Sequence, residues 1–304
     1  MNTLVQKFKK RLRPIFRREE TSIRLLIVSK TLIWANCILN RIRHAHLKAL
    51  GDTGLKSLSD KRAKNVFVFA NGPSLNDLDF TKIKRLVDEK KFDLITVNCF
   101  ASKGIQQFDI KPSIAVFGDP DHFIGIDGNG VLPQYEEDIK TINDSKIPVM
   151  IPDQYFVYSK FKNGIPYCSV RNQYGNNVSN IQKPLGFYSV TAFAAISLAI
   201  HLGYKNIYIC GYDNSYFKNF SVDQKNRRVL PDQHFYDTEK SAKRYMNPDQ
   251  YGPISDIFLD FSRHFRYLEK INRLKPPEVT ISNIALTTYT DAFPRCFNLG
   301  IYND

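Results

Sequence analysis

The stretch Ser189–Leu202 is apolar nearly all round, with Ala192, Phe193, Ala194, Ala195, Ile196, Leu198, Ala199 and Ile200 in one run. A helix without a polar face must be enclosed, so this one is expected to lie buried against a sheet. Gly203 ends it, and the β-branched run Asn206–Cys210 follows at once. That succession restricts the chain to an α/β fold with a mostly parallel sheet and helices on both faces. Strands are expected at Asn65–Ala70, Leu94–Asn98, Ser113–Asp119, Pro148–Ile151, Asn206–Asp213 and Val279–Ile284. A second long helix is expected over about Ser255–Leu274, where Ile257, Phe258, Phe261, Phe265 and Leu268 recur at helical spacing before Pro276 and Pro277. Between Asp213 and Pro253 the periodicity is lost. A connection of that length inside a compact domain is usually functional, and it reads as a lid over a site at about 214–253.

Charge separates the front of the chain from its body. Of the net +13, residues 1–50 hold +10, from 12 Lys/Arg against Glu19 and Glu20. Nucleic-acid binding needs basic groups organised along a groove, and residues 51–304 offer no such block, so no nucleic-acid partner is expected. Within the arm, Ile23–Leu39 is apolar (Leu25, Leu26, Ile27, Val28, Leu32, Ile33, Trp34, Ile38) but is broken by Arg24 and Lys30. It is too short and too charged for a spanning helix, which needs about 20 apolar residues. The arm reads as an interfacial helix on an anionic membrane surface, at residues 1–50, ahead of a domain over 60–304. The alternative is a helix that packs on the body or makes a homo-oligomer contact. Five scattered cysteines, odd in number and without CxxC spacing, argue against a disulfide framework or zinc site and fit a reducing, cytoplasmic compartment.

Candidate site residues cluster where strands end. The first strand runs into Asn71-Gly72-Pro73-Ser74-Leu75. A strand, a Gly turn and a helix start bring backbone N–H groups to a nucleotide phosphate. Ser74 with Asp77 reads as a capping box that places the helix start. Asn71 can offer its amide to ribose or base, and the bland reading is an ordinary turn. Asn98, Asp119 and Gly211–Asp213 end later strands, and the carboxyl ends of parallel strands face the crevice where such sheets bind ligands. Each could equally cap a turn.

The blocks Ala-Asn71-Gly-Pro-Ser-Leu, the Asn98 strand end and Ser-Val-Thr191-Ala…Gly203-Tyr-Lys-Asn-Ile-Tyr-Ile-Cys-Gly211-Tyr-Asp213 resemble the bacterial CMP-sialic acid-dependent sialyltransferases typified by Campylobacter lipooligosaccharide enzymes. Related lipopolysaccharide Kdo transferases look similar over the same blocks. The tail Ser282-Asn283…Asp291-Ala-Phe293-Pro294 also resembles theirs. The likeness covers roughly residues 65–100, 185–240 and 278–295.

The resemblance implies an inverting CMP-sugar glycosyltransferase on a single Rossmann-like domain, with a lid after the Gly211–Asp213 strand and no cofactor or metal. Its donor is a CMP-activated acidic sugar, and its acceptor a glycan or glycolipid of lipopolysaccharide or capsule. It implies that Asn71 and Asn98 hold the nucleotide; the Gly turn and the strand ends add Gly72, Ser74, Asp119, Gly211 and Asp213 around it, with Ser189 and Thr191 from the matching block. Tyr216 and, more loosely, Tyr236 would bind the phosphate, and His234 would be the general base. The chain departs from the family at Asp119-Pro120, where an Asn-Pro is expected, and at Phe187-Tyr188, which lack an arginine. The chemistry is self-consistent. A one-phosphate leaving group can be stabilised by hydroxyl donors, and an imidazole suits the base. His122, His201 and His264 are weaker candidates. The rival enzyme reading uses Asp119-Pro-Asp121 as a D-x-D pair holding a divalent metal against a nucleoside-diphosphate sugar. A non-catalytic membrane-surface scaffold is the remaining reading.

Overall fold

The computed structural model describes residues 45–59, 63–125, 133–170, 175–186, 190–231, 234–235, 243–246 and 253–303, with residues 31, 35, 38, 39, 42, 131 and 172 individually. Most of the basic arm, Ser189 and Tyr236 lie outside them.

The centre is a seven-stranded sheet in the order β10-β6-β1-β2-β3-β4-β5, every neighbouring pair parallel. Its strands are β1 (Asn65–Phe69), β2 (Phe92–Val97), β3 (Ile114–Val116), β4 (Val149–Pro152), β5 (Gly164–Tyr167), β6 (Asn206–Cys210) and β10 (Thr280–Asn283). The helices are α1 (Ala45–Ser59), α2 (Phe80–Asp88), α3 (Phe100–Phe108), α4 (Glu136–Asp144), α5 (Thr191–His201) and α6 (Ile254–Leu274).

Alternation within the strands builds two buried faces. Val66 and Val68 of β1 join a core with α1, α5 and α6. Phe67 and Phe69 of the same strand join another with α2 and α3, where Phe67 stacks on Phe92 and Phe69 meets Phe100 edge-on. Helices thus cover both faces, and the fold is a single Rossmann-like α/β domain. All of Ala192–Ile200 in α5 is buried, as its unbroken apolar run requires. Gly203, at φ +83°, takes the left-handed turn that links α5 to β6.

Four features differ from the sequence expectation. β5 lies outside the expected strands; its Gly164-Ile-Pro-Tyr carries a proline, which an edge strand tolerates. α1 begins ahead of residue 60 and lies against β5, where a Cβ on Gly51 would collide with the Pro166 carbonyl. The insertion after β6 contains a small antiparallel sheet of β7 (Ser221–Val222), β8 (Arg228–Pro231) and β9 (Lys243–Met246). In α6 the buried residues are Ile257, His264, Tyr267, Leu268 and Ile271, so the expected stripe through Phe258, Phe261 and Phe265 is not the core face. Those three rings turn instead toward the insertion.

His264 enters the core beside Phe193, ring centroids 5.8 Å apart. Burial pushes its pKa down from 6.5 to about 4, with Asp260 opposing weakly. The folded state therefore refuses a proton that the unfolded chain accepts. Stability is whole above pH 6.5 and falls as pH drops toward 4, by on the order of 3 kcal/mol for this group. His122, also pushed down by burial, adds in the same sense. His264→Leu is expected to flatten this acid limb, measured by denaturant unfolding at pH 7 and pH 5; an unchanged pH slope would contradict the assignment.

Candidate functional site

The chain leaves β1 outward through β2, β3, β4 and β5, then returns to place β6 on the other side of β1. The strand order reverses between β1 and β6, and in open parallel sheets the carboxyl ends of the strands at such a reversal are where a ligand crevice forms. Asn71–Ser74 and Gly211–Asn214 are the loops on its two sides.

These loops are laced together. Ala70 N–H donates to the Cys210 carbonyl at 2.9 Å and Gly72 N–H to the Gly211 carbonyl at 2.7 Å. Ser74 N–H donates to Asp213 Oδ2 at 3.0 Å, and Ser74 Oγ donates to Asp213 Oδ1. The anion seated at the Ser74 N–H is therefore the chain's own carboxylate, which corrects the expectation of a phosphate at that donor. Burial pushes the Asp213 carboxyl up, against the pull of its Ser74 hydrogen bonds. The capping box is also corrected. Pro73–Asp77 is a short 3-10 turn with no side-chain cap, and the helix starts later, at Phe80. Asp79 caps it, accepting from Thr81 N–H at 3.0 Å and Lys82 N–H at 3.1 Å.

Gly72 is needed for closeness and not for dihedral freedom. A Cβ there would lie 2.5 Å from the Gly211 oxygen and 2.6 Å from Asp213 Oδ2. Gly72→Ala is expected to part the two loops and destabilise the protein by about 1–3 kcal/mol. Unfolding of wild type and variant in urea measures this directly; an unchanged midpoint would mean the loops can separate freely.

The other half of the rim lies one strand over. Asn98, after β2, has φ +48°. Its Oδ1 accepts from Gly118 N–H at 3.2 Å, and its Nδ2 donates to Thr191 Oγ1 at 3.5 Å, at the start of α5. Gly118 leaves the room: a Cβ on it would be 2.6 Å from Thr191 Oγ1. Asn98 and Thr191, far apart in sequence, thus share one corner.

Asp119 turns to local work, accepting from Asp121 N–H at 3.1 Å to cap the turn Pro120–His122. Asp121 and His122 are buried, and His122 Nε2 lies 3.4 Å from Cys99 Sγ. Among the described residues no group of three or more His, Cys, Asp or Glu is arranged to hold a metal ion.

His234 is drawn to the β1 loop by its neighbour. Phe235 N–H donates to the Asn71 carbonyl at 2.9 Å, and the Phe235 ring packs on Phe100 at 5.2 Å. Tyr216 opens the 3-10 turn Tyr216–Asn219 at the mouth of the β6 loop. Burial pushes the Tyr212 phenol up, with Tyr216 adding to the effect.

The sequence reading missed the clamp that holds the β6 loop from behind. Thr290 Oγ1 donates to the Tyr212 carbonyl at 3.2 Å, and Tyr289 N–H donates to the Asp213 carbonyl at 2.9 Å. Thr288 Oγ1 reaches the Tyr212 carbonyl at 3.2 Å. The hydroxyl-rich run Thr287-Thr288-Tyr289-Thr290 was its only sequence signal. Among the described residues, three polar atoms of the β1 and β6 loops are buried without a hydrogen-bond partner: Asn71 Oδ1, the Tyr212 hydroxyl and Asn214 Nδ2. Thr96 Oγ1, Ser197 Oγ and the Tyr267 hydroxyl are likewise buried and unpartnered among the described residues, and the Tyr212 ring lies in the core against Phe193, so of the three it is Asn71 and Asn214 that belong to the loops themselves.

The fold defines an α/β protein of Rossmann-like build, with the β1 and β6 loops at its topological switch point. Set against known proteins, the chain matches no family model and no curated protein.

Proposed function

We propose that the chain is an inverting glycosyltransferase that moves an acidic sugar (sialic acid, another nonulosonic acid or Kdo) from a CMP donor onto a lipopolysaccharide or capsule glycan. It would work in the cytoplasm, peripheral to the inner face of the membrane. The observation that carries this reading is the hydrogen bond from Phe235 N–H to the Asn71 carbonyl, which ties the residue next to His234 to the β1 loop. Asn71 and Asn98 hold the nucleotide, and Thr191 steadies Asn98. Asp213 is assigned to hold the β1 and β6 loops together and not to touch the phosphate, since two anions at one donor repel. The phosphate is then met from the lid side, by the hydroxyls of Tyr216 and Tyr236. The acceptor hydroxyl attacks the anomeric carbon as His234 removes its proton; the bond from that carbon to the phosphate oxygen breaks, and CMP leaves with inversion.

No helix among the described residues is long and apolar enough to cross a membrane, which is compatible with peripheral attachment. The test is nucleotide release from CMP-sialic acid, CMP-Kdo and a panel of UDP sugars, each with and without EDTA. Acceptor-stimulated CMP release that survives EDTA is expected. Turnover confined to a UDP sugar, lost on chelation and restored by Mn²⁺, would replace this reading with the metal-dependent one. Absence of turnover with every donor would leave the scaffold reading.

A further inference from the structure

The insertion after β6 touches elements on both faces of the sheet. Its first turn, Tyr216–Asn219, faces α6: the Phe217 ring lies 6.2 Å from Phe265 and 6.4 Å from Phe261, and Phe220 meets Phe258 edge-on at 5.7 Å. Phe235 does the opposite. Its ring packs on Phe100 of α3 at 5.2 Å and joins the buried cluster of Phe69, Leu75 and Phe100, on the face away from α6. Only 8% of Phe235 is exposed. Its backbone is held from the same side. The N–H donates to the Asn71 carbonyl at 2.9 Å, and the carbonyl accepts from Asn76 Nδ2 at 3.5 Å. Asn76 is steadied in turn, since Asn303 Nδ2 donates to its carbonyl at 2.9 Å. Ring, donor and acceptor of one residue all grip the β1 side, and the residue before it is His234, which is half-buried.

We infer that Phe235 is a positioning residue: seated among Phe69, Leu75 and Phe100, it places the His234 imidazole for proton removal and does no chemistry of its own. The inference rests on His234 being the base, as assigned above, and adds what holds that base in place. Consecutive Cα atoms lie about 3.8 Å apart, so fixing Phe235 confines the space the imidazole can reach. A reacting group displaced by about 1 Å can lose roughly 10²-fold in rate. Donor binding draws on Asn71 and Asn98 instead, so the loss of the Phe235 ring falls on turnover.

The experiment is a cycle in the full chain: wild type, Phe235→Ala, His234→Ala and the double variant, followed by CMP release from CMP-sialic acid and CMP-Kdo. Phe235→Ala is expected to lower kcat by roughly 10²-fold with donor KM unchanged, and Phe235→Leu to restore most of it. In a His234→Ala chain, Phe235→Ala is expected to cost nothing further, because no base is left to position. Asn76→Ala, at a solvent-exposed site where folding is not at risk, repeats the pattern at lower amplitude and carries the test if Phe235→Ala fails to accumulate. A second readout needs no turnover: in the ligand-free protein the Phe235 amide is expected to resist hydrogen exchange, and Asn76→Ala to speed its exchange several-fold. Equal fractional losses with and without the imidazole overturn the inference. So does a loss confined to donor KM, or a Phe235 amide that exchanges as freely as in an unfolded chain. A wild type that turns over no CMP donor, or a His234→Ala variant within a few-fold of wild type, is a distinct result: it removes the base itself, and the positioning role goes with it.

Discussion

His234→Ala is expected to lower kcat by roughly 10²–10⁴-fold, the usual loss when an acid–base group is removed. The site geometry explains why the effect should fall on turnover and not on donor binding. The link between His234 and the crevice is the backbone of Phe235, whose N–H holds the Asn71 carbonyl and whose ring holds Phe100. Replacing the imidazole leaves that anchor intact, so the nucleotide-binding residues keep their places and donor KM changes little. Tyr216→Phe is the contrast: it slows turnover by removing a hydroxyl from the phosphate side and leaves the base in place, so the two losses should combine in the double variant. A His234→Ala enzyme within a few-fold of wild type removes His234 from the mechanism.

Phe193→Ala is expected to cost about 3–5 kcal/mol of stability, the range for deleting a buried aromatic ring. Phe193 is fully buried in α5, and its ring meets Tyr212 at 5.7 Å, Tyr267 at 4.9 Å and His264 at 5.8 Å. It therefore joins the three elements behind the crevice: α5, α6 and the loop after β6. Its neighbours are ill suited to collapse into the space. Tyr212 is tethered through its carbonyl by Thr290, and the Gly186 backbone crowds the Tyr267 ring. Marginal stability of a domain is about 5–15 kcal/mol, so the variant should melt far below wild type or fail to accumulate. Phe193→Leu, which keeps most of the volume, should recover much of the loss. A Phe193→Ala protein with an unfolding midpoint near wild type would show that the core relaxes around the gap.

The expected strands and the observed ones agree best where the local signal is strong. β1, β6 and β10 are short β-branched or aromatic runs bounded by polar or glycine residues, and their positions follow from composition alone. The predicted carboxyl ends overran at Ser113–Asp119, where pairing stops at Val116. β4 runs on to Pro152, and Phe117 N–H still reaches the Met150 carbonyl, so the strand ends because the chain turns away at Gly118 and Asp119 into the Pro120–His122 turn and not for want of a neighbour. The mismatch in α6 has a related cause. Periodicity finds Phe258, Phe261 and Phe265 on one face but cannot say whether the sheet or the insertion lies opposite. The sheet side took His264 and Tyr267 instead, two residues whose polar atoms argue against burial when read alone.

By itself, the sequence determined the parallel α/β class, the enclosed helix at Thr191–His201 and the gathering of Asn71, Asn98 and Asp213 at strand ends. It did so because hydrophobic period and glycine placement act over a few residues at a time. Only the tertiary structure decided which of these groups touch. Asp213 and Ser74 are 139 positions apart, yet their hydrogen bond takes the donor that the turn seemed to offer a phosphate. Asn98 found Thr191 across 93 positions, and the Phe235 N–H found the Asn71 carbonyl. Such contacts depend on strand order, which places β6 beside β1 after the chain has travelled out to β5 and back, and strand order is a property of the packed whole.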